Sequence, residues 1–337
     1  ATKGRKSRGT KYKFGLEVPD NPKRALEVDR EKGTNGWAKA MEAEINSLLE
    51  YDVFEIEDAD TPPPEGYKRI PYRMVLDVKV DLRLKARLVA RGDLTSPLKE
   101  DVYSGVVSNE AVRLGFLLVQ LNGLQVCAGD IGTAFLNGYT REKVYFIAGP
   151  EFGPRLAGKR LLVRKSIYGL RSSGARFHEA LSKKMRGMGF RPSKADFDLW
   201  LRKCEDGHYE YIARYVDDVI VFSRDPMTIM DQFSKWYTMK GVGTPQYYLG
   251  GDVENLSEDW QKEGLYQAIS AQTYLRNCVP KLAKMVGKER FQKYKTPFDS
   301  TYHAELDESE LLKVEGISMY RSFIGSINWV VTLGGLM

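Results

Sequence analysis

An α+β fold is predicted for this chain of 337 residues by three observations. Tyr209 to Phe222 sets two runs rich in β-branched and aromatic residues on either side of Asp217-Asp218, the pattern of a hairpin. Tyr72 to Ala90 holds a second strand pair joined by a short charged connection. Apolar residues at three- and four-residue spacing mark helices over 37–50, 109–122, 175–188 and 226–240. With 42% hydrophobic residues there is ample core for two or three packed subdomains.

The acidic hairpin carries the chemistry. Two residues between strand runs make a tight turn, and Asp-Asp is an acceptable tip but not a favoured one, because positive φ suits Gly or Asn. Held side by side against an apolar sheet, Asp217 and Asp218 repel, and one keeps its proton unless a cation sits between them. A hard divalent ion is the natural partner. On this segment alone, an ordinary solvated acidic turn is the other reading.

Composition narrows the class. No apolar run approaches the roughly 18 residues of a membrane span, the most apolar stretch, 111–128, being interrupted by Arg113, Gln120, Asn122 and Gln125. The formal charge of +6 suits a polyanionic partner. Lys3, Arg5, Lys6, Arg8, Lys11 and Lys13 stand among Gly and Ser with no acid, so residues 1–33 are expected to be a basic, disordered arm, a nucleic-acid tether, import signal or solubilising tail. Cys127, Cys204 and Cys278 are sparse and far apart, which suits a reducing, intracellular setting in cytoplasm or nucleus. Cys204 and His208 have half of a ligand spacing, and the sequence offers nothing to complete it. The start at Ala1, with no signal-peptide pattern, is expected of a fragment or a processed product.

In chain order, Thr34-Asn35-Gly36 introduces a helix to Glu50 with Trp37, Met41, Ile45, Leu48 and Leu49 on one face. The Pro62-Pro63-Pro64 cluster breaks the chain, and in Lys85-Ala86-Arg87-Leu88-Val89 the alternation puts both cations on one strand face, either solvated surface or a phosphate-binding finger. Asn109 is expected to cap a helix to Asn122, with Val112, Leu114, Phe116, Leu117, Val119 and Leu121 as its apolar face and Gly123 as its end. A strand from Leu124 then delivers Asp130 into Ile131-Gly132-Thr133-Ala134-Phe135, a carboxylate at a sheet end beside a shaped pocket. Strands at 144–147 and 160–165 lead to Tyr168-Gly169-Leu170 and a helix with Phe177, Leu181, Met185 and Met188 inward. Asp225 caps a helix expected to run from Pro226 to Lys240, with Gly241 at its end. Tyr247 to Val253 reads as one short strand, and Ser270 as the cap of a helical stretch to Phe291 that Pro280 kinks.

Motifs from Trp37 to about Trp329 now combine. They are Trp37-x-x-Ala40-Met41-x-x-Glu44, Lys85-Ala86-Arg87-Leu88-Val89-Ala90-Arg91-Gly92, Ala134-Phe135-Leu136-Asn137-Gly138, Tyr168-Gly169-Leu170, Tyr215-Val216-Asp217-Asp218, Tyr248-Leu249-Gly250 and Tyr320-Arg321-Ser322-x-Ile324-Gly325-Ser326. Each is weak alone. Together, and in this order, they make the chain resemble the reverse transcriptase region of copia-type (Ty1/copia) LTR retrotransposon Pol polyproteins.

The resemblance implies a right-hand polymerase with an antiparallel palm sheet covered by helices on one face. It divides the chain into fingers over 34–108, a palm with an interleaved fingers helix over 109–254, and a truncated thumb or connection over 255–337. It implies RNA- and DNA-templated DNA synthesis, with Asp130, Asp217 and Asp218 as the catalytic acids that hold two magnesium ions. Lys85, Arg87, Phe135 and Arg171 would meet the incoming nucleotide, Phe135 lying under its sugar, and Tyr248, Leu249 and Gly250 would grip the primer. The implied partners are an RNA or DNA template-primer and dNTPs, with no membrane. Family members carry a longer hairpin than Lys79 to Leu84 and a Gln where Ser172 stands. No RNase H carboxylate pattern, protease motif or integrase finger is present, so other Pol domains would lie outside this stretch. The alternative is a decayed or domesticated remnant that binds nucleic acid or serves as a structural subunit.

Overall fold

The computed structural model describes residues 10–95, 97–98, 102–255, 267–287, 303–306 and 308–334. At the N-terminus β1 (Lys11–Lys13) and β2 (Leu16–Val18) form a hairpin, and α1 (Pro22–Lys32) follows, its Asn21 cap accepting from the Arg24 amide. The expected disordered arm is therefore folded from residue 11 to 33, while residues 1–9 lie outside the described residues. Val18, Ala25 and Val28 are buried, Lys13 Nζ donates to Asp77 at 2.8 Å, and Arg24 donates to both Glu17 and Glu31. Of the basic residues that resembled a solvated tail, Lys13 is paired.

α2 (Gly36–Glu50) buries Trp37, Met41, Ile45 and Leu48, leaving Leu49 half-buried. After β3 (Phe54–Glu57) and β4 (Lys68–Arg69), β5 (Tyr72–Val78) and β6 (Leu84–Ala90) make a two-stranded hairpin in register from Tyr72↔Ala90 to Val78↔Leu84. Its Ala86 and Leu88 are buried in one core with α2, while Lys85 faces solvent.

The next elements are α3 (Asn109–Asn122), β7 (Gln125–Ile131), β8 (Val144–Ile147), β9 (Arg160–Val163), α4 (Ser173–Gly187) and β10 (Arg191–Pro192). There follow β11 (Leu199–Lys203), β12 (Tyr209–Tyr215), β13 (Asp218–Ser223), α5 (Pro226–Ser234) and β14 (Met239–Gly243). Then come β15 (Tyr247–Tyr248), β16 (Gly251–Asn255), β17 (Gln267–Ser270), α6 (Gln272–Met285) and α7 (Val314–Gly334). A six-stranded antiparallel sheet, β10-β11-β12-β13-β7-β14, positions the acids, and smaller sheets β3-β9-β8-β4 and β15-β16-β17 flank it in the chain order. Among the described residues no helix is long and apolar enough to cross a membrane.

Helices cover both faces of the six-stranded sheet, not one. Val219 and Val221 of β13 pack with Phe177 and Leu181 of α4 and Phe233 of α5, whereas Ile220 and Phe222 pack with Val112, Phe116 and Val119 of α3. A strand apolar at every position needs cover on both sides, and successive side chains alternate between them. Arg214, buried on β12, is pinned by Asp198, by Ser182 Oγ at 3.0 Å and by the His178 carbonyl at 3.2 Å, which holds the strand that leads to the acids.

Several local expectations are corrected. Ser108, not Asn109, caps α3 by accepting from the Ala111 amide, and Leu114, Leu117 and Leu121 are exposed because the buried stripe runs through Ala111, Val112, Gly115, Phe116 and Val119. The two-residue turn of the acidic hairpin is Val216-Asp217, with Tyr215 paired to Asp218. The helix after Asp225 stops at Ser234, since Met239 to Gly243 instead adds an edge strand to β7. Tyr247 to Val253 is a hairpin of two strands rather than one strand. Ser270 belongs to β17 and Ala271 precedes α6, which contains Pro280; the expected reach to Phe291 falls outside the described residues. The loop after β11 also folds Glu210 beside Cys204 and His208, a neighbour that linear spacing does not reveal.

Candidate active site

β7 and β13 are neighbours, and their register sets Asp130 directly opposite Asp218. Asp217 sits in the turn before Asp218, and its carbonyl accepts from the Ile131 amide at 2.8 Å, tying the turn to the end of β7. Two residues remote in sequence and their neighbour are thus brought to one sheet end. Val216 has φ 55° and Thr133 has φ 51°, so a β-branched residue in the left-handed region stands on each side of the acids. Such backbone costs roughly 1–3 kcal/mol per residue and concentrates at functional sites.

The acids resist ionisation where they stand. Burial, with Asp217 and Asp130 alongside, pushes Asp218 up to about 6. Burial and the Asp217 charge raise Asp130 too, and Lys240, opposite it on β14, eases the effect. Half-buried carboxylates in mutual repulsion at one sheet end are hard oxygen donors whose repulsion a divalent ion would relieve, so their chemistry fits such an ion.

A cationic and aromatic wall adjoins them. Phe135, half-buried in a 3₁₀ turn (Ala134–Asn137), meets the Tyr168 ring edge-on at 5.0 Å and the Phe177 ring at 6.4 Å. The Arg87 guanidinium lies 5.4 Å from the centre of the Tyr168 ring. Burial raises the Tyr168 hydroxyl, Arg87 lowers it and Asp217 raises it further, which puts the wall within electrostatic reach of the acids. Lys85 extends from the same strand, its Nζ 4.0 Å from Glu44 Oε2, and Glu44 Oε1 accepts from the Leu88 amide at 2.9 Å. Burial raises the Glu44 carboxyl, while Lys85 and Arg87 draw it back.

The Tyr168-Gly169-Leu170 segment docks on the end of β6 through Ala90 N to Tyr168 O at 2.7 Å and Gly92 N to Gly169 O at 3.2 Å. Gly169 has φ 90°, and a Cβ there would lie 2.1 Å from the Ala90 carbonyl oxygen, so the approach requires glycine. Arg171 is placed differently from Arg87. Its guanidinium donates to the carbonyls of Gly92, Asp93 and Thr95, clamping that turn. Ser172 is fully buried, its amide and Oγ both on Glu142 Oε1.

Tyr248 is buried beside Asp218, and its hydroxyl, pushed up chiefly by burial, has no hydrogen-bond partner among the described residues. Leu249 and Gly250, both at positive φ, make the β15–β16 turn, which rests on Trp329 of α7. A cleft lined by Ser108, Tyr215, Leu249, Gly250 and Trp329 separates this turn from the acidic hairpin.

The structure therefore brings together Asp130, Asp217 and Asp218, sets Phe135 and Arg87 on one wall, and places Lys85 further along the strand. Glu44, Tyr168 and Lys240 stand at the site without being marked as site residues by the sequence alone. Glu44 and Tyr168 stand inside recognised motifs, which was the available signal; Lys240 reaches the site only because β14 replaces the end of the expected helix.

A profile of the family described as reverse transcriptase (RNA-dependent DNA polymerase) matches residues 52–288. The retrovirus-related Pol polyprotein from transposon TNT 1-94 of Nicotiana tabacum is 25% identical over 293 residues, covering 82% of this chain and 22% of that protein. The corresponding polyprotein from transposon RE1 of Arabidopsis thaliana is 26% identical over 275 residues, 74% of this chain and 18% of that one. A solved structure of the foamy viral protease-reverse transcriptase dRH in complex with ds DNA is 14% identical, with a TM-score of 0.44, over 86% of this chain and 40% of that chain. The chain spans about a fifth of the length of the curated relatives it matches. With the profile covering well over half of its residues, the chain belongs to the reverse transcriptase (RNA-dependent DNA polymerase) family, in the region typical of copia-type Pol polyproteins, and its α+β architecture is a polymerase fold.

Proposed function

We propose that this chain extends a primer along an RNA or DNA template from dNTPs, with two magnesium ions held by Asp130, Asp217 and Asp218. The observation that carries the reading is the cross-strand pairing of Asp130 with Asp218, with Asp217 in the adjoining turn. When bound, the ions lower the pKa of the primer 3′ hydroxyl and neutralise the triphosphate and departing pyrophosphate. Arg87 and Lys85 receive the phosphates, Arg87 being held in place by Tyr168. Phe135 lies under the sugar and excludes a 2′ hydroxyl, which would both clash and lack a hydrogen bond. The Tyr248-Leu249-Gly250 turn holds the primer end. Positioning and charge supply most of the rate.

In this reading residues 34–108 serve as fingers, 109–254 as palm and 255–337 as thumb or connection, and the protein works inside the cell, in cytoplasm or nucleus, beside other Pol domains. The direct test is extension of an oligo(dT) primer on poly(rA) with magnesium and dTTP. Template-dependent extension supports the proposal. Tight template-primer binding without magnesium-dependent extension overturns it and makes the chain a nucleic-acid-binding remnant.

A further inference from the structure

At the opposite end of β12 from Asp217, β11 and β12 are joined by the loop Cys204-Glu205-Asp206-Gly207-His208. The Cys204 amide donates to the His208 carbonyl at 2.8 Å and the Gly207 amide to the Cys204 carbonyl at 3.0 Å, so Cys204 and His208 face each other as the loop's ends. Glu210, two residues on, shares a strand face with His208. The Cys204 sulfur, an imidazole nitrogen of His208 and a carboxylate oxygen of Glu210 all lie within 4.8 Å of one another. Tetrahedral ligands at zinc distances are separated by about 3.4–3.8 Å, so side-chain movements on the order of 1 Å close the site.

The surroundings are those of a ligand set. His208 Nδ1 is held by the Asp206 carboxylate, and Nε2 is buried with no hydrogen-bond partner among the described residues. A buried imidazole nitrogen left unpaired is unfavourable, and a carboxylate on the other nitrogen is how metal-bound imidazoles are oriented. Asp206 is in turn held by Arg224 at 2.6 Å. Glu210 is buried; its Oε2 accepts from Arg202 Nε at 2.9 Å and Nη2 at 2.6 Å, and its Oε1 accepts from Ser223 Oγ at 2.7 Å. Oε1 is therefore the oxygen left to meet a cation, which would take the place of the proton that the Cys204 thiol shares with Glu210.

We propose that Cys204, His208 and Glu210 bind a zinc-class transition-metal ion, with a fourth position open to water, and that the ion clasps the β11–β12 loop. Thiolate, imidazole and carboxylate donors select such an ion over magnesium, whereas the all-oxygen acids at the far end of β12 select the reverse. The two sites therefore load independently.

The test strips the purified chain with a chelator, reloads it with zinc or cobalt(II) in excess magnesium, removes free metal, and measures bound metal by mass spectrometry. About one ion per chain is expected, with a thiolate-to-cobalt charge-transfer band and a higher zinc-dependent melting midpoint. Cys204→Ser abolishes the band and the shift. Asp206→Asn, which keeps every ligand, weakens binding about 10- to 100-fold. Asp130→Asn leaves zinc retention unchanged. Failure of the wild-type chain to retain metal overturns the proposal, as does retention that Cys204→Ser and His208→Ala leave intact, with circular dichroism confirming that each variant is folded.

Discussion

Replacing Asp218 by Asn should stabilise the metal-free protein. The side chain keeps its shape and loses a charge that its surroundings oppose. Displacement of the carboxyl from about 3.9 in the unfolded chain to about 6 in the fold corresponds to roughly 3 kcal/mol at 1.36 kcal/mol per pKa unit. Part of the group faces solvent, which reduces the expected penalty to about 1–2 kcal/mol. Because the folded state binds this proton more tightly, the wild type is free of the penalty below about pH 4 and acquires it as pH rises through about 6. In EDTA, Asp218→Asn should therefore melt on the order of 2–4 °C higher than wild type at pH 8, with the gap closing toward pH 4. Magnesium should then raise the wild-type midpoint more than the variant's, since an ion that binds only the folded state adds stability by mass action. Differential scanning calorimetry across that pH range decides the matter. Equal midpoints at pH 8, or a gap that widens toward pH 4, would refute the argument that these carboxylates are held together against their own repulsion.

Asp130→Asn and Asp217→Asn should each lower primer extension more than about a hundredfold while leaving template-primer affinity nearly unchanged, as filter binding beside single-turnover kinetics would show; several kcal/mol of transition-state stabilisation are at stake. Lys85→Ala and Arg87→Ala should impair dNTP use more than primer-template binding, and an unchanged KM and kcat for dNTP would return both to solvated surface. Phe135→Ala should keep dNTP incorporation within about tenfold and raise ribonucleotide incorporation, whereas a purely core role would cost roughly 3–5 kcal/mol of stability and leave the dNTP to rNTP ratio unchanged.

What the sequence made legible was local. The β5–β6 hairpin and α2 follow from residue alternation and helical spacing, and Asp130, Asp217 and Asp218 stand out as acids at the ends of apolar strand runs. What it concealed was set by partners distant in the chain. The pairing of Lys13 with Asp77 helps order a segment whose composition resembles a tail. The edge of β7 captures Met239 to Gly243, which would otherwise extend a helix. Val216 occupies a turn position that its own preference disfavours, so the register of the acidic hairpin could not be read from propensity. Glu210 joins Cys204 and His208 only because the loop reverses between them.

Asp130 and Asp217, with Asp218 alongside, are proposed to form a divalent-ion site. Crystals of the chain with template-primer and a non-hydrolysable dNTP, soaked in manganese, test it most directly by anomalous scattering. Two peaks about 3.5–4 Å apart are expected between the Asp130 and Asp217 carboxylates, both lost in Asp130→Asn. Absence of manganese there, or peaks that persist in that variant, would contradict it.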